Sequence, residues 1–66
     1  MAEFESEPVL PQDFAAALGA HPQAKARFGA LSAGSRRRYV LEVEGAGTQE
    51  ERARRIERAI ARLVAL

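Results

Sequence analysis

The 66-residue chain contains no cysteine, no tryptophan and only one histidine, His21. Without cysteine there can be neither a disulfide nor a thiolate metal site. A zinc site would have to take nearly all its ligands from carboxylates, which is unusual. We therefore predict no metal and no cofactor, and we expect helix packing or association with a partner to stabilise the fold.

Long apolar runs are also absent. No stretch approaches the roughly 20 residues that span a bilayer, so we expect no membrane insertion. The first residues, MAEFESEP, carry three glutamates and do not have the basic start of a secretory signal. With neither an export signal nor cysteine, a cytoplasmic location is expected.

Patterns that support catalysis are missing as well. The chain has no nucleophile elbow, no phosphate loop and no metal-ligand spacing. His21 precedes Pro22 at an expected helix start, where an exposed side chain is the simpler interpretation. Ser32 and Ser35 are better explained as helix caps. So short a chain also has little room for a deep pocket, and we predict that it is not an enzyme.

Helical patterns occupy most of the chain, and strand patterns are absent. Residues 1–8 lack periodicity and are predicted to be a flexible acidic leader, with residues 9–66 forming a single helical domain. Pro11 and Pro22 are placed to open two short helices, the first of which should end at Gly19. Their apolar faces contain Phe14, Ala17 and Leu18 in the first helix, and Ala24, Arg27, Phe28 and Leu31 in the second.

A longer helical hairpin is expected to follow. Ser32 or Ser35 caps a helix through residues 36–44, whose apolar stripe is Tyr39, Val40 and Val43. Residues 45–47, Gly-Ala-Gly, break it. Thr48 and Glu51 form a capping box at the next helix. That last helix should bury Ala53, Ile56, Ile60 and Leu63, and it should carry Arg55, Arg58 and Arg62 nearly opposite, with ion pairs Glu50–Arg54 and Glu51–Arg55. The fold class is therefore all-α: a compact array of about four helices, two short ones followed by a longer hairpin.

Three groups of residues follow one another at spacings that are specific when taken together. They are Val9-x-Pro11-x-Asp13-Phe14 with Ala17-Leu18; Pro22, Ala24 and Phe28-x-x-Leu31-Ser32; and Arg36-Arg37-x-Tyr39-Val40 with Val43, Glu44, Ala46 and Arg52-x-x-Arg55-Ile56. On these motifs, residues 11–63 resemble the C-terminal helical domain of the bacterial YdeI/OmpD-associated family. The resemblance implies a link to bacteriocin protection and a β-rich domain in front, but no established reaction.

Charge is unevenly distributed along a chain whose net charge is only +1. Residues 1–22 hold four acidic side chains and no lysine or arginine, whereas residues 23–66 hold ten basic and five acidic ones. If the hairpin sets residues 36–38 level with about residue 55, its arginines merge into one basic surface. The candidate anion or partner surface is Arg36, Arg37, Tyr39, Arg52, Arg55 and Arg58. A solvated face balanced by glutamates is the simpler interpretation, just as Tyr39 is more simply a core aromatic with its hydroxyl at the rim.

Two functions remain open. The first is a small interaction domain that docks on a partner protein, on an upstream β-rich domain or on a second copy of itself. Its apolar surface would include Phe4, Val9, Leu10, Val64 and Leu66, which exceed what one small core must bury. The alternative is an anion-binding or nucleic-acid-binding domain that uses the arginines. Nucleic acid ranks second because a dedicated binder usually has a stronger positive charge and a known motif.

Overall fold

The structure, a computed structural model, describes residues 10–66 as four helices and no strand. They are α1 (Gln12–Gly19), α2 (Pro22–Gly29), α3 (Ala33–Glu44) and α4 (Gln49–Ala65). Two short helices followed by a longer hairpin are the predicted all-α arrangement. The predicted leader, residues 1–8, lies outside the described residues, as does Val9.

Local chemistry sets the start of each helix. Pro11 directly precedes α1 and Pro22 is the first residue of α2, where a missing backbone N–H costs nothing. The Ser35 backbone N–H donates to Ser32 Oγ (3.2 Å), so Ser32 is the cap of α3. Glu51 N–H donates in the same way to Thr48 Oγ1 (3.1 Å) at the start of α4. These starts agree with the sequence prediction.

The core lies where α4 packs against each of the other three helices. Phe14, Val43 and Leu63 are fully buried at its centre. The Phe28 ring stands edge-on to Phe14, with centroids 5.5 Å apart, and also to Tyr39, at 6.0 Å. The expectation that Tyr39 is a core aromatic is confirmed, because its half-buried ring packs against the core cluster.

The buried face of α4 differs from the prediction at its N-terminal end. Ile56, Ile60 and Leu63 are buried as expected, but Ala53 is exposed and Ala59 is buried instead. Arg52, four residues before Ile56, continues the inward face and turns its guanidinium toward α1. At this end of α4 the buried face is therefore rotated by part of a turn from the predicted stripe, because an ion pair replaces the core contacts there.

More apolar side chains pack against the core than predicted. Leu10 and Val64, expected on an exposed sticky surface, are half-buried and pack against the core. Leu66 is exposed as expected (65%), and Leu41 is also exposed (59%). Among residues 10–66, no helix combines the length and apolar character that crossing a bilayer requires.

Candidate functional site

Arg36 closes the C-terminal end of α2. Its guanidinium Nη1 donates to the backbone carbonyls of Leu31 (2.7 Å) and Gly29 (3.3 Å). Carbonyls at a helix C-terminus have no partner within the helix and carry the negative end of its dipole. This arginine from the first turn of α3 therefore stabilises the turn between α2 and α3.

Arg55 does the same at the end of α3. Its Nη1 donates to the Glu42 carbonyl (2.8 Å), and its Nε donates to the Glu51 carboxylate (3.1 Å). The pair with Glu51 was predicted, but Arg54 also pairs with Glu51 (3.5 Å) and not with Glu50. The prediction that Arg55 lies opposite the buried face is wrong, because the side chain is half-buried at the α3–α4 contact.

Arg27 provides the third contact of this kind, at the end of α4. Its Nη1 donates to the carbonyls of Leu63 (3.4 Å), Val64 (3.3 Å) and Leu66. The sequence placed Arg27 on the inner face of α2 but did not indicate this acceptor. The C-terminal ends of α2, α3 and α4 are thus each contacted by an arginine from another helix.

Asp13 and Arg52 form an ion pair between α1 and α4. Arg52 Nε lies 2.6 Å from Asp13 Oδ2, and Arg52 Nη2 lies 3.2 Å from Oδ1, so the guanidinium holds both carboxylate oxygens. The hydrogen bond from Arg52 lowers the pKa of Asp13, and the same bond raises the pKa of Arg52. Arg52 therefore has a structural partner that the sequence did not reveal.

This pair predicts an acid-sensitive contribution to stability. Since the folded-state pKa of Asp13 is below its unfolded value, the contribution is present above about pH 4 and lost as pH falls through the lowered pKa. At pH 6 we expect Asp13→Asn to melt at a lower temperature than the parent, with the difference shrinking below about pH 4. Glu50→Gln serves as the control, because it removes an exposed carboxylate that pairs with no residue in 10–66. A difference between Asp13→Asn and the parent that is constant from pH 6 to pH 2 would contradict the assignment.

The six residues of the candidate anion or partner surface fall into separate groups. Arg36, Arg52 and Arg55 hold backbone carbonyls or carboxylates, whereas Arg37 and Arg58 are exposed and bond to no residue in 10–66. Tyr39 lines a cleft of about 300 Å³ between α3 and α4, together with Ser35, Arg38, Glu42 and Arg62.

The predicted alignment of residues 36–38 with Arg55 is also wrong. Arg38 lines the cleft together with Arg62, whereas Arg55 donates to the carbonyl of Glu42, one helical turn further along α3. The arginines of the hairpin are therefore spread along its length.

A groove of about 490 Å³ runs along α1 and α2, and we call it the α1–α2 groove. The described residues that line it are mostly apolar, with two cationic side chains. The lining residues are Leu10, Ala15, Leu18, Lys25, Phe28, Gly29 and Arg36. Sequence patterns do not predict this groove, because it forms between two helices and each pattern describes only one helix. No group of three or more His, Cys, Asp or Glu side chains in residues 10–66 is placed to hold a metal ion.

The fold and its groove define a small four-helix domain with an apolar recess edged by positive charge. Its sequence places it more specifically. A profile of the family described as "Bacteriocin-protection, YdeI or OmpD-Associated" matches residues 7–65, nearly the whole chain, and the protein belongs to this family. The comparisons with curated proteins and with solved structures found no match.

Proposed function

We propose that this domain is an interaction module that docks on another domain or on a partner protein through the α1–α2 groove. The groove itself is the observation that carries the proposal. Leu10, Leu18 and Phe28 offer an apolar floor, and a recess of this size accepts one or two large side chains. The proposal assigns no catalysis and no cofactor to the domain.

The charges around the groove select the kind of partner. Lys25 and Arg36 both line it, and no acidic side chain of residues 10–66 does. An apolar anchor flanked by carboxylates complements such a surface, because opposite charges steer the encounter and fix the register. We infer a partner segment with aliphatic or aromatic anchors between Asp or Glu residues. An upstream β-rich domain, a second copy or a separate protein can present this segment. We also propose that binding occurs in the cytoplasm, since the chain contains no cysteine for the disulfides common in exported domains.

Binding of anions or nucleic acid is the second candidate. Arg37 and Arg58 support it, because both are exposed and bond to no other described residue. It ranks below the interaction module because Arg52 and Arg55 already donate to carboxylate or carbonyl oxygens within the fold, while Arg36 lines the apolar groove.

Selection from a random peptide library on the immobilised 66-residue chain tests the proposal. We expect enrichment of peptides with large apolar residues flanked by Asp or Glu. Ala15→Glu places a carboxylate in the groove and should weaken their binding about tenfold or more, a loss of about 1.4 kcal/mol. Ala16→Glu is the matched control, since Ala16 is exposed on the same helix outside the groove lining.

Two results would count against the groove. One is equal binding of the selected peptides to both glutamate variants. The other is tight binding of duplex DNA that falls steeply with salt and is lost in Arg37→Ala/Arg58→Ala, since phosphate contacts release counterions. That second result would favour the anion-binding candidate.

A further inference from the structure

The α1–α2 groove begins where the described part of the chain begins. Leu10 is both the first described residue and a lining residue of the groove, and it packs against the core. The nine preceding residues are therefore tethered at the edge of the groove. At about 3.3 Å per residue they reach at most ~30 Å, which exceeds the ~12 Å length of each of the two eight-residue helices that form the groove.

The composition of residues 1–9 matches the groove in charge and in apolar character. They carry Glu3, Glu5 and Glu7 with no lysine or arginine, a side-chain charge of −3. Residues 10–66 carry ten basic and six acidic side chains, a charge of +4, and the two parts sum to the chain's +1. Their apolar side chains include Phe4 and Val9.

We propose that the α1–α2 groove binds residues 1–9 of its own chain, with Phe4 on the apolar floor and the glutamates near Lys25 and Arg36. This inference rests on the proposed function, and it names an internal competitor for the same site. Tethering makes a weak contact sufficient, because a short linker gives an effective concentration in the millimolar range. An external segment must displace residues 1–9 before it docks.

A single spin label tests the placement in the 66-residue chain. Because the protein has no cysteine, Ala2→Cys gives one labelling position. We expect the label to broaden the amide signals of Ala15, Lys25 and Gly29, which line the groove, several-fold more than those of Arg54 and Arg58 on the outer face of α4. Equal broadening of the two sets would overturn the proposal.

Charge and anchor variants then test the chemistry. Lys25→Glu in the labelled chain should reduce the broadening at the groove several-fold, whereas Arg58→Glu, the same charge change on the outer face, should leave it unchanged. Phe4→Ala should act like Lys25→Glu without altering any described residue, which covers the case in which Lys25→Glu perturbs the fold. Persistence of the broadening in both variants would overturn the proposal.

Two further measurements separate the alternatives. A mixture of isotope-labelled chain without the spin label and spin-labelled chain without isotope should show no broadening at the groove. Broadening there would assign the groove to a second copy and overturn binding within one chain. Phe4→Ala should also bind the selected peptides several-fold more tightly than the parent. Unchanged affinity would remove the competition while leaving the interaction module intact, whereas failure of the peptide selection alone would leave the spin-label result standing.

Discussion

Leu63→Ala should leave most of the protein unfolded at room temperature. Leu63 is fully buried at the centre of the core, where α4 meets the other three helices. Truncating a buried leucine costs about 2–5 kcal/mol, because the lost apolar contacts are joined by a cavity that the surroundings fill only in part. A domain of this size has a total stability of only about 3–5 kcal/mol, so the two quantities nearly cancel.

The same substitution at Leu41 provides the control. Leu41 lies in a helix but is 59% exposed, so Leu41→Ala changes helix propensity equally while removing little buried area. We expect its stability to remain within about 0.5 kcal/mol of the parent. Circular dichroism melting curves and urea midpoints measure both variants. A Leu63→Ala melting curve that overlays that of Leu41→Ala would show that this face of α4 is not the core.

Local sequence signals predicted the four helices well because their causes lie within a few residues. Ser32 and Thr48 cap their helices through hydrogen bonds that span three residues. Pro22 opens α2, and the break after α3 falls at the predicted Gly-Ala-Gly. Each of these features depends on short-range chemistry that any helix end shares, so one sequence suffices to find them.

The arginine contacts could not be predicted in the same way. Arg27 and Leu63 are 36 residues apart, and Asp13 and Arg52 are 39 apart. Nothing in the charge pattern says which of nine arginines reaches which acceptor, and a backbone carbonyl has no sequence signature at all. The predicted basic surface treated arginines as solvent-exposed charges, whereas Arg36 and Arg55 lie half-buried and donate to carbonyls inside the fold.

The α1–α2 groove escaped prediction for a related reason. Its floor comes from residues such as Leu18 and Phe28, which sequence periodicity assigned to the core, and the structure shows both as core and groove lining. Whether an apolar face is fully covered depends on how two helices are set apart, which periodicity does not encode.

Arg27→Met should produce the largest effect among single arginine substitutions. The methionine keeps much of the apolar stem but loses every donor, so the carbonyls of Leu63, Val64 and Leu66 lose the guanidinium they share. The C-terminal end of α4 would also lose the cation that interacts with the negative end of the helix dipole. Together these losses should destabilise the fold by about 1–2 kcal/mol. Since Arg27 belongs to α2, the variant also loosens α2 from α4.

Arg58→Met is the matched control for this experiment. It removes the same charge from an exposed position in α4 that bonds to no other described residue, and methionine and arginine have similar helix propensities. Urea midpoints should therefore fall clearly for Arg27→Met and hardly for Arg58→Met, and amide exchange should accelerate in the last turn of α4 only in the former. Arg27→Lys, which keeps the charge but not the fork of donors, should lie between the two. Equal midpoints for the two methionine variants would show that α4 ends without help from α2.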